Sequence, residues 1–342
     1  MLFRFLQLLL LVLLGVGLHT PSVNAGPALL FDASNNKVLY AHDADRLWYP
    51  ASLTKIMTAY VVFEAIKNGE LTLETKLVSS ALAAKEPPSK IGLPIGAEIS
   101  LEFGLRALII KSANDVAVML AQAVAGSPEF FIARMNRTAK RLGMTRTTFV
   151  NPNGLPVPGQ VTTARDLGRL VVAVARDFPQ YTRYWAMPYL RIGKRRLRSH
   201  NALLRTYDGA DGVKTGFICD SGFNVVASAT RNGRRLIAIV LGSPSSKTRN
   251  RRARDLLDHG FLTHDWKLYF QPDDLVSMPA STTSNQIVSV RKSVAGWACG
   301  NRRVTRRRAR SRRRRKLRRK QPPRKGAVIR KKKAASARTA QR

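Results

Sequence analysis

Between Ala51 and Lys67 the chain writes a helix that is apolar on nearly every side. Leu53, Ile56, Met57, Tyr60, Val61 and Phe63 leave no continuous polar face, and Asn68-Gly69 supplies the stop. Such a helix is stable only when it is covered all round, so the rest of the chain must build layers about it. Its first turn nevertheless carries Ser52 and Lys55, three residues apart and therefore on one side. The first turn of a helix offers free N–H groups and partial positive charge, which favour negative charge on a nearby oxygen. Burial lowers the proton affinity of a lysine. A neutral Lys55 could therefore take the proton of Ser52 and turn it into a nucleophile.

Two further short motifs follow in order. Ser112-Ala113-Asn114 lies between apolar runs that read as helices, Leu101 to Ile110 and Asp115 to Val124. A hydroxyl there can relay protons, and the Asn114 amide can hold a peptide group. The plain alternative is that Ser112 or Asn114 only caps the second helix. Lys214-Thr215-Gly216 lies in a strand, where Gly216 would let a substrate backbone approach the strand edge. Lys214 and Thr215 would face a carboxylate, and a cation at Lys214 would further depress Lys55. The N–H groups of Phe217 and Ser52 would together form an oxyanion hole.

The surrounding pattern sets the architecture. Ala28 to Phe31 and Lys37 to Tyr40 flank a turn-rich stretch and read as a hairpin. Residues 70 to 180 read as mainly helical, with runs at Phe130 to Leu142 and Thr163 to Arg176, Thr163 acting as N-cap. Strands follow at Gly212 to Phe217, Phe223 to Thr230 and Arg235 to Leu241, the last two joined by a turn at Asn232-Gly233. Ala253 to Phe261 closes as a helix. The first strands must then pair with the last in one antiparallel sheet, an α+β arrangement.

Charge divides the chain. The net charge is +38, yet Arg291 to Arg342 alone holds 24 Lys or Arg and no acid. A mildly basic body is thus expected to carry a very basic tail that stays extended. At the other end, Arg4, the apolar run Phe5 to Leu18 and the small residues Val23-Asn24-Ala25 read as an export signal cut before Gly26. The expected divisions are 1–25 signal, 26–271 catalytic domain, 272–290 linker and 291–342 tail. The expected location is the periplasm or the envelope surface. Cys219 and Cys299 are the only cysteines. With Cys299 assigned to the tail, two unpaired thiols are expected. Five scattered His and two distant Cys give no metal-ligand spacing, and no cofactor is implied.

Ser52-x-x-Lys55, Ser112-x-Asn114 and Lys214-Thr215-Gly216, in that order, form the active-site set of penicillin-binding proteins and class A β-lactamases. With Asp211-Gly212-Val213 before the third motif, Ser221-Gly222-Phe223-Asn224 after it and Ser199-His200-Asn201 ahead of it, the chain resembles the D-alanyl-D-alanine carboxypeptidases of the low-molecular-mass penicillin-binding proteins. The likeness runs from about Pro27 to Phe261.

That resemblance implies a DD-peptidase/β-lactamase-like fold: a five-stranded antiparallel sheet flanked by helices, with a helical subdomain carrying the second motif. It implies Ser52 as the acylated nucleophile, Lys55 as base and Ser112 as their catalytic partner. Asn114, Lys214, Thr215, Gly216, Phe217 and Arg249 would bind substrate, Arg249 matching an arginine associated with the terminal carboxylate. His200 stands where some members carry Arg. The implied activity is removal of the terminal D-Ala from peptidoglycan stem pentapeptides, with β-lactams as covalent inhibitors. An endopeptidase cutting D-Ala crosslinks is the alternative. A β-lactamase needs a deacylating Glu, and Glu129 is the last Glu of the chain. The tail lacks interleaved aromatics, which speaks against nucleic acid and for anionic lipid or envelope polymer.

Overall fold

The computed structural model describes residues 26–270, 273–280, 285–294 and 296–299. The expected export signal and the expected tail beyond Cys299 lie outside them. Five strands form the central antiparallel sheet. These are β1 (Ala28–Asp32), β2 (Val38–His42) and, after two small hairpins, β7 (Ala210–Ile218), β8 (Gly222–Arg231) and β9 (Arg234–Ser243). Their order is β2-β1-β9-β8-β7, so the first hairpin pairs with the last strand and β7 is an edge. The small hairpins are β3 (Lys76–Val78) with β4 (Glu98–Ser100), and β5 (Tyr189–Ile192) with β6 (Arg195–Arg198).

Both faces of the sheet are buried, as the continuous apolar runs of its strands require. Alternation along β1 splits the work. Leu30 joins Leu39, Val225, Ala227, Ala238 and Leu257 in one core layer. Leu29 and Phe31 face the other way, where Gly168 approaches them closely enough that an added Cβ would lie 3.4 Å from each. The helix over that second face is α4. In chain order the longer helices are α1 (Thr54–Lys67), α2 (Asn114–Ala125), α3 (Pro128–Arg141), α4 (Ala164–Asp177) and α5 (Ser246–Phe270). Every residue of α1 except Glu64, Ile66 and Lys67 is buried, as its all-round apolar sequence predicts. Thr163 caps α4 by accepting the Asp166 N–H at 3.0 Å, also as expected. The helix α5 is far longer than its expected core of Ala253 to Phe261, because its basic first turns conceal the apolar period.

Three expectations are corrected. First, residues 272–290 were expected to be a linker, but the compact unit runs to Val294. Leu275, Met278, Val290 and Val294 are buried. The buried Arg165 guanidinium donates to the Met278 and Pro279 carbonyls, each at 2.8 Å, and pairs with Asp45 through two bonds of 2.7 and 2.8 Å. Second, the expected tail boundary at Arg291 moves accordingly, because Arg291 pairs with Asp220 at 2.8 Å and the Val290 N–H donates to the Asp220 carbonyl at 3.0 Å. Third, Cys219 and Cys299 are disulfide-bonded, not free thiols. The chain passes Asp220, next to Cys219, only nine residues before Cys299, so the separation in sequence misleads. The second compact unit starts at Ala295, and its short helix Gly296–Cys299 is the part described.

Candidate active site

The site forms where the start of α1, the start of α2 and the edge strand β7 meet. Ser52 sits in a 3-10 turn, Ala51–Leu53, that runs into α1. Ala51 holds a left-handed backbone, φ 49°, an uncommon conformation for a residue with a side chain. Two glycines make room for it. At Gly154 (φ +84°) a Cβ would lie 1.9 Å from the Ala51 carbonyl oxygen. At Gly216 it would lie 2.9 Å from the Pro50 carbonyl oxygen and 3.1 Å from the Ser52 nitrogen. The bare backbone at Gly216 therefore serves first to let β7 close on the Ser52 turn, a packing role beside the substrate access expected from sequence.

Lys55 is fully buried. Its Nζ lies 3.3 Å from Ser52 Oγ and 2.7 Å from Asn114 Oδ1, and it also donates to the Asn153 carbonyl. Burial holds its pKa well below the ordinary lysine value. Lys214 pushes the same way, and Glu86 and Asp115 push weakly against. A neutral amine has two N–H bonds and one lone pair. Asn114 and Asn153 offer carbonyl acceptors for both N–H bonds, which leaves the lone pair for the Ser52 hydroxyl. The two asparagines thus define which way the Lys55 amine points.

Ser112 ends a π-helical turn, Ala107–Lys111, in a left-handed conformation (φ 59°, ψ 41°). That turn throws Ser112 out of the helical path and into the site. Neither Ser112 nor Asn114 caps α2, whose N-cap is Ala113 with no side-chain bond, so the plain capping alternative fails. Asn114 spends one side-chain N–H on the Pro87 carbonyl at 2.9 Å and one lone pair on Lys55, and each end keeps a second bonding position. Its backbone N–H donates to the Ser89 carbonyl, and the Asp115 carboxylate accepts the Ile91 and Gly92 N–H groups at 3.1 and 2.8 Å. The second motif therefore straps the segment 87–92 along the wall of the site.

Lys214 reaches from β7 to donate to Ser112 Oγ at 2.9 Å. Burial, then the neighbouring Arg249, lowers its pKa to about 7. Arg249, in the first turn of α5, is buried and lowered to about 10 by that burial. It donates to Asn250 Oδ1 through Nε and Nη2 (3.0 and 2.8 Å) and weakly to the His200 carbonyl (3.5 Å), and no ion pair forms on it among the described residues. His200 is exposed at the rim of the cleft, where local desolvation, then Lys214, Lys111 and Arg249, lowers its pKa to about 4.

These groups border one cleft of ≈ 560 Å³, lined by Ser52, Ser112, Asn114, Thr215, Gly216, Phe217 and Arg249, with His200 and Asn153 also on its walls. Lys55 and Lys214 stand behind that lining, bonded to Ser52 and Ser112. The Phe217 ring stacks on Phe223, centroids 4.1 Å apart. Every residue singled out from sequence is in this one place. Two were missed, Asn153 and Glu86. Glu86 accepts from Asn153 Nδ2 at 3.1 Å, and burial raises its pKa. The turn-forming run Asn151-Pro152-Asn153-Gly154 was the only available signal, and it reads equally well as a plain loop.

A doubly covered antiparallel sheet, with a Ser-x-x-Lys helix start facing a Lys-Thr-Gly edge strand, defines the DD-peptidase/β-lactamase-like fold. The chain belongs to the D-alanyl-D-alanine carboxypeptidase family, whose family model matches residues 15–245. It is 39% identical over 263 residues to the D-alanyl-D-alanine carboxypeptidase DacC of Escherichia coli, covering 75% of this chain and 66% of that protein. The chain thus spans just under two thirds of that relative's length. Penicillin-binding protein 5 of Haemophilus influenzae is similar in structure, with TM-score 0.67 and 33% identity over 72% of this chain and 73% of that one. So is penicillin-binding protein D2 of Listeria monocytogenes in its ampicillin-bound form, with TM-score 0.63 and 34% identity over 69% of this chain and 97% of that one.

Proposed function

We propose that the chain is a serine D-alanyl-D-alanine carboxypeptidase that removes the terminal D-Ala of peptidoglycan stem pentapeptides. The observation that carries this reading is the pair of buried cations, Lys214 and Arg249, beside the Ser52 cleft with no carboxylate on either. A buried charge is costly unless paired, so the cleft is built to receive an anion, and a free terminal carboxylate supplies one.

In this reading neutral Lys55 takes the Ser52 proton as Oγ attacks the carbonyl of the penultimate D-Ala. The Ser52 and Phe217 N–H groups hold the developing oxyanion. The proton passes through Ser112 to the leaving amine, D-Ala departs, and an ester on Ser52 remains. Water then attacks that ester, returning the hydroxyl and releasing the shortened stem. Among the described residues no carboxylate lines the cleft, and Glu86 stands behind Asn153. That favours slow loss of a β-lactam ester over β-lactamase activity. A free terminal carboxylate would meet Lys214 and Arg249 most directly, which favours a carboxypeptidase over an endopeptidase.

The test is a pentapeptide ending in D-Ala-D-Ala against its C-terminal amide. The amide should lose about ten- to a hundredfold in kcat/KM, the scale of a lost charged hydrogen bond. Equal cleavage of both, or faster cleavage of crosslinked dimers, favours the endopeptidase. We extend the proposal to an envelope location and to anionic lipid or envelope polymer as the tail's partner. Support comes from the Phe5 to Leu18 run and the 24 cations after Val290, both of which lie largely outside the described residues.

A further inference from the structure

Between Asp177 and Asp208 the sequence has no acid and seven Lys or Arg, a run that the catalytic machinery leaves unused. The structure shows what it builds. Tyr189 to Arg198 is the hairpin β5–β6, in which Arg191, Lys194, Arg195, Arg196 and Arg198 are all exposed. Alternation sorts its faces. Leu190 is fully buried on the inner face, and the hairpin packs against the Ala107–Lys111 turn. Arg191, Arg196 and Arg198 share the outer face with Tyr189.

On that face Arg191 stands directly opposite Arg196 in the strand register. Like charges facing each other across a strand pair destabilise it, and none of the five cations forms an ion pair among the described residues. Arg196 finds relief only in the Tyr189 ring, 3.5 Å from its guanidinium carbon to the centroid. Stability alone would favour an acid at one of the paired positions. The next residues along the chain, Ser199 and His200, line the Ser52 cleft. The His200 ring is hydrogen-bonded to the Lys111 backbone, which ties the foot of the hairpin to the second motif.

We infer that the outer face of β5–β6 is a docking strip for the acidic remainder of the polymeric substrate, a glycopeptide whose stems carry free carboxylates, and that it delivers those stems to the adjoining cleft. The inference rests on the carboxypeptidase reading for its choice of polymer. Charge complementarity and continuity with the cleft select this occupant. A lipid surface would call for exposed apolar residues at the tip, where Ile192 is only half-exposed between Arg191 and Lys194. The strip acts beside the reacting bond.

The experiment compares the full chain with Arg191→Gln/Arg196→Gln and with Arg191→Lys/Arg196→Lys. Three readouts are taken at low and high salt. They are co-sedimentation with purified sacculi, co-sedimentation with vesicles of phosphatidylglycerol and phosphatidylcholine in equal parts, and D-Ala release from sacculi and from a tripeptide whose only acid is its terminal carboxylate. The Gln pair should weaken sacculus binding and raise the sacculus KM by about fivefold for each arginine removed, the scale of a basic residue at an anionic surface. High salt should erase the difference. The Lys pair should restore both, tripeptide hydrolysis should not move, and the thermal midpoint of the Gln pair should hold or rise because the opposed charges are gone. Unchanged sacculus binding by the Gln pair overturns the inference whatever the activity. A loss confined to vesicles overturns it in favour of a lipid surface. A sacculus effect without D-Ala release from any substrate leaves the strip standing and removes the carboxypeptidase reading instead.

Discussion

Lys214 Nζ lies 2.9 Å from Ser112 Oγ, joining the third motif to the second across 102 residues of sequence. This contact puts the Lys214 amine over the proposed proton relay, and burial and then Arg249 lower its pKa to about 7. A carboxylate ligand favours the protonated form and raises that pKa. Above pH 7, binding of a stem peptide should therefore take up a proton, and affinity should fall by up to about tenfold per pH unit. Calorimetry in buffers of different ionisation enthalpy measures the uptake. Proton release on binding, or none above pH 8, contradicts the assigned role. For the stability of the free protein the sign is opposite. The folded state binds fewer protons than the unfolded chain between about 7 and the ordinary value 10.5, so this group makes stability rise with pH across that window.

The base is tested by Lys55→Arg. Arginine stays protonated and cannot become a neutral acceptor. Acylation by a labelled penicillin should fall at least about a hundredfold, the low end for lost general-base catalysis. Retained acylation would assign Lys55 a purely structural position.

The two glycines under the Ser52 turn should separate in severity. Gly154→Ala combines a strained φ with a 1.9 Å clash against backbone, whereas Gly216→Ala meets its nearest atom at 2.9 Å. Overpacking of this kind costs about 1–3 kcal/mol, and Gly154→Ala should sit at or above the upper end. Denaturant midpoints measure the cost. Both variants should also acylate more slowly, because each displaces the backbone that carries Ser52.

Arg165 anchors residues 273–280 through buried bonds and a two-pronged pair with Asp45. Arg165→Ala removes the buried two-pronged partner of Asp45 and the donors to the Met278 and Pro279 carbonyls, a loss of about 3–5 kcal/mol. The same substitution should open the segment 273–280 to proteolysis. Wild-type resistance in the variant would mean that the apolar anchors Leu275 and Met278 hold the segment alone.

The catalytic cluster was legible because its chemistry leaves short, ordered patterns, and the central sheet because Val-, Ile- and Leu-rich runs repeat toward the C-terminus. The parts that escaped did so for distinct physical reasons. Lys194, Arg195 and Arg196 mask the strand alternation of β5–β6, and Lys247 to Arg254 mask the helical period of α5 in the same way. Asn153 acts through a backbone carbonyl, which no side-chain pattern records. Glu86 reaches the site only through Asn153, across 67 residues. The fold beyond Gln271 was missed because its anchors, Leu275, Met278 and Val290, are single apolar residues spaced too widely to show a period.

The most direct measurement is the site of acylation. The protein is incubated with a labelled penicillin, digested, and the modified residue identified by mass spectrometry. One adduct per chain on Ser52, lost in Ser52→Ala with little change in thermal unfolding, is the expected result. Label on another residue, or none on the folded protein, contradicts the assignment of Ser52 and Lys55 as nucleophile and base.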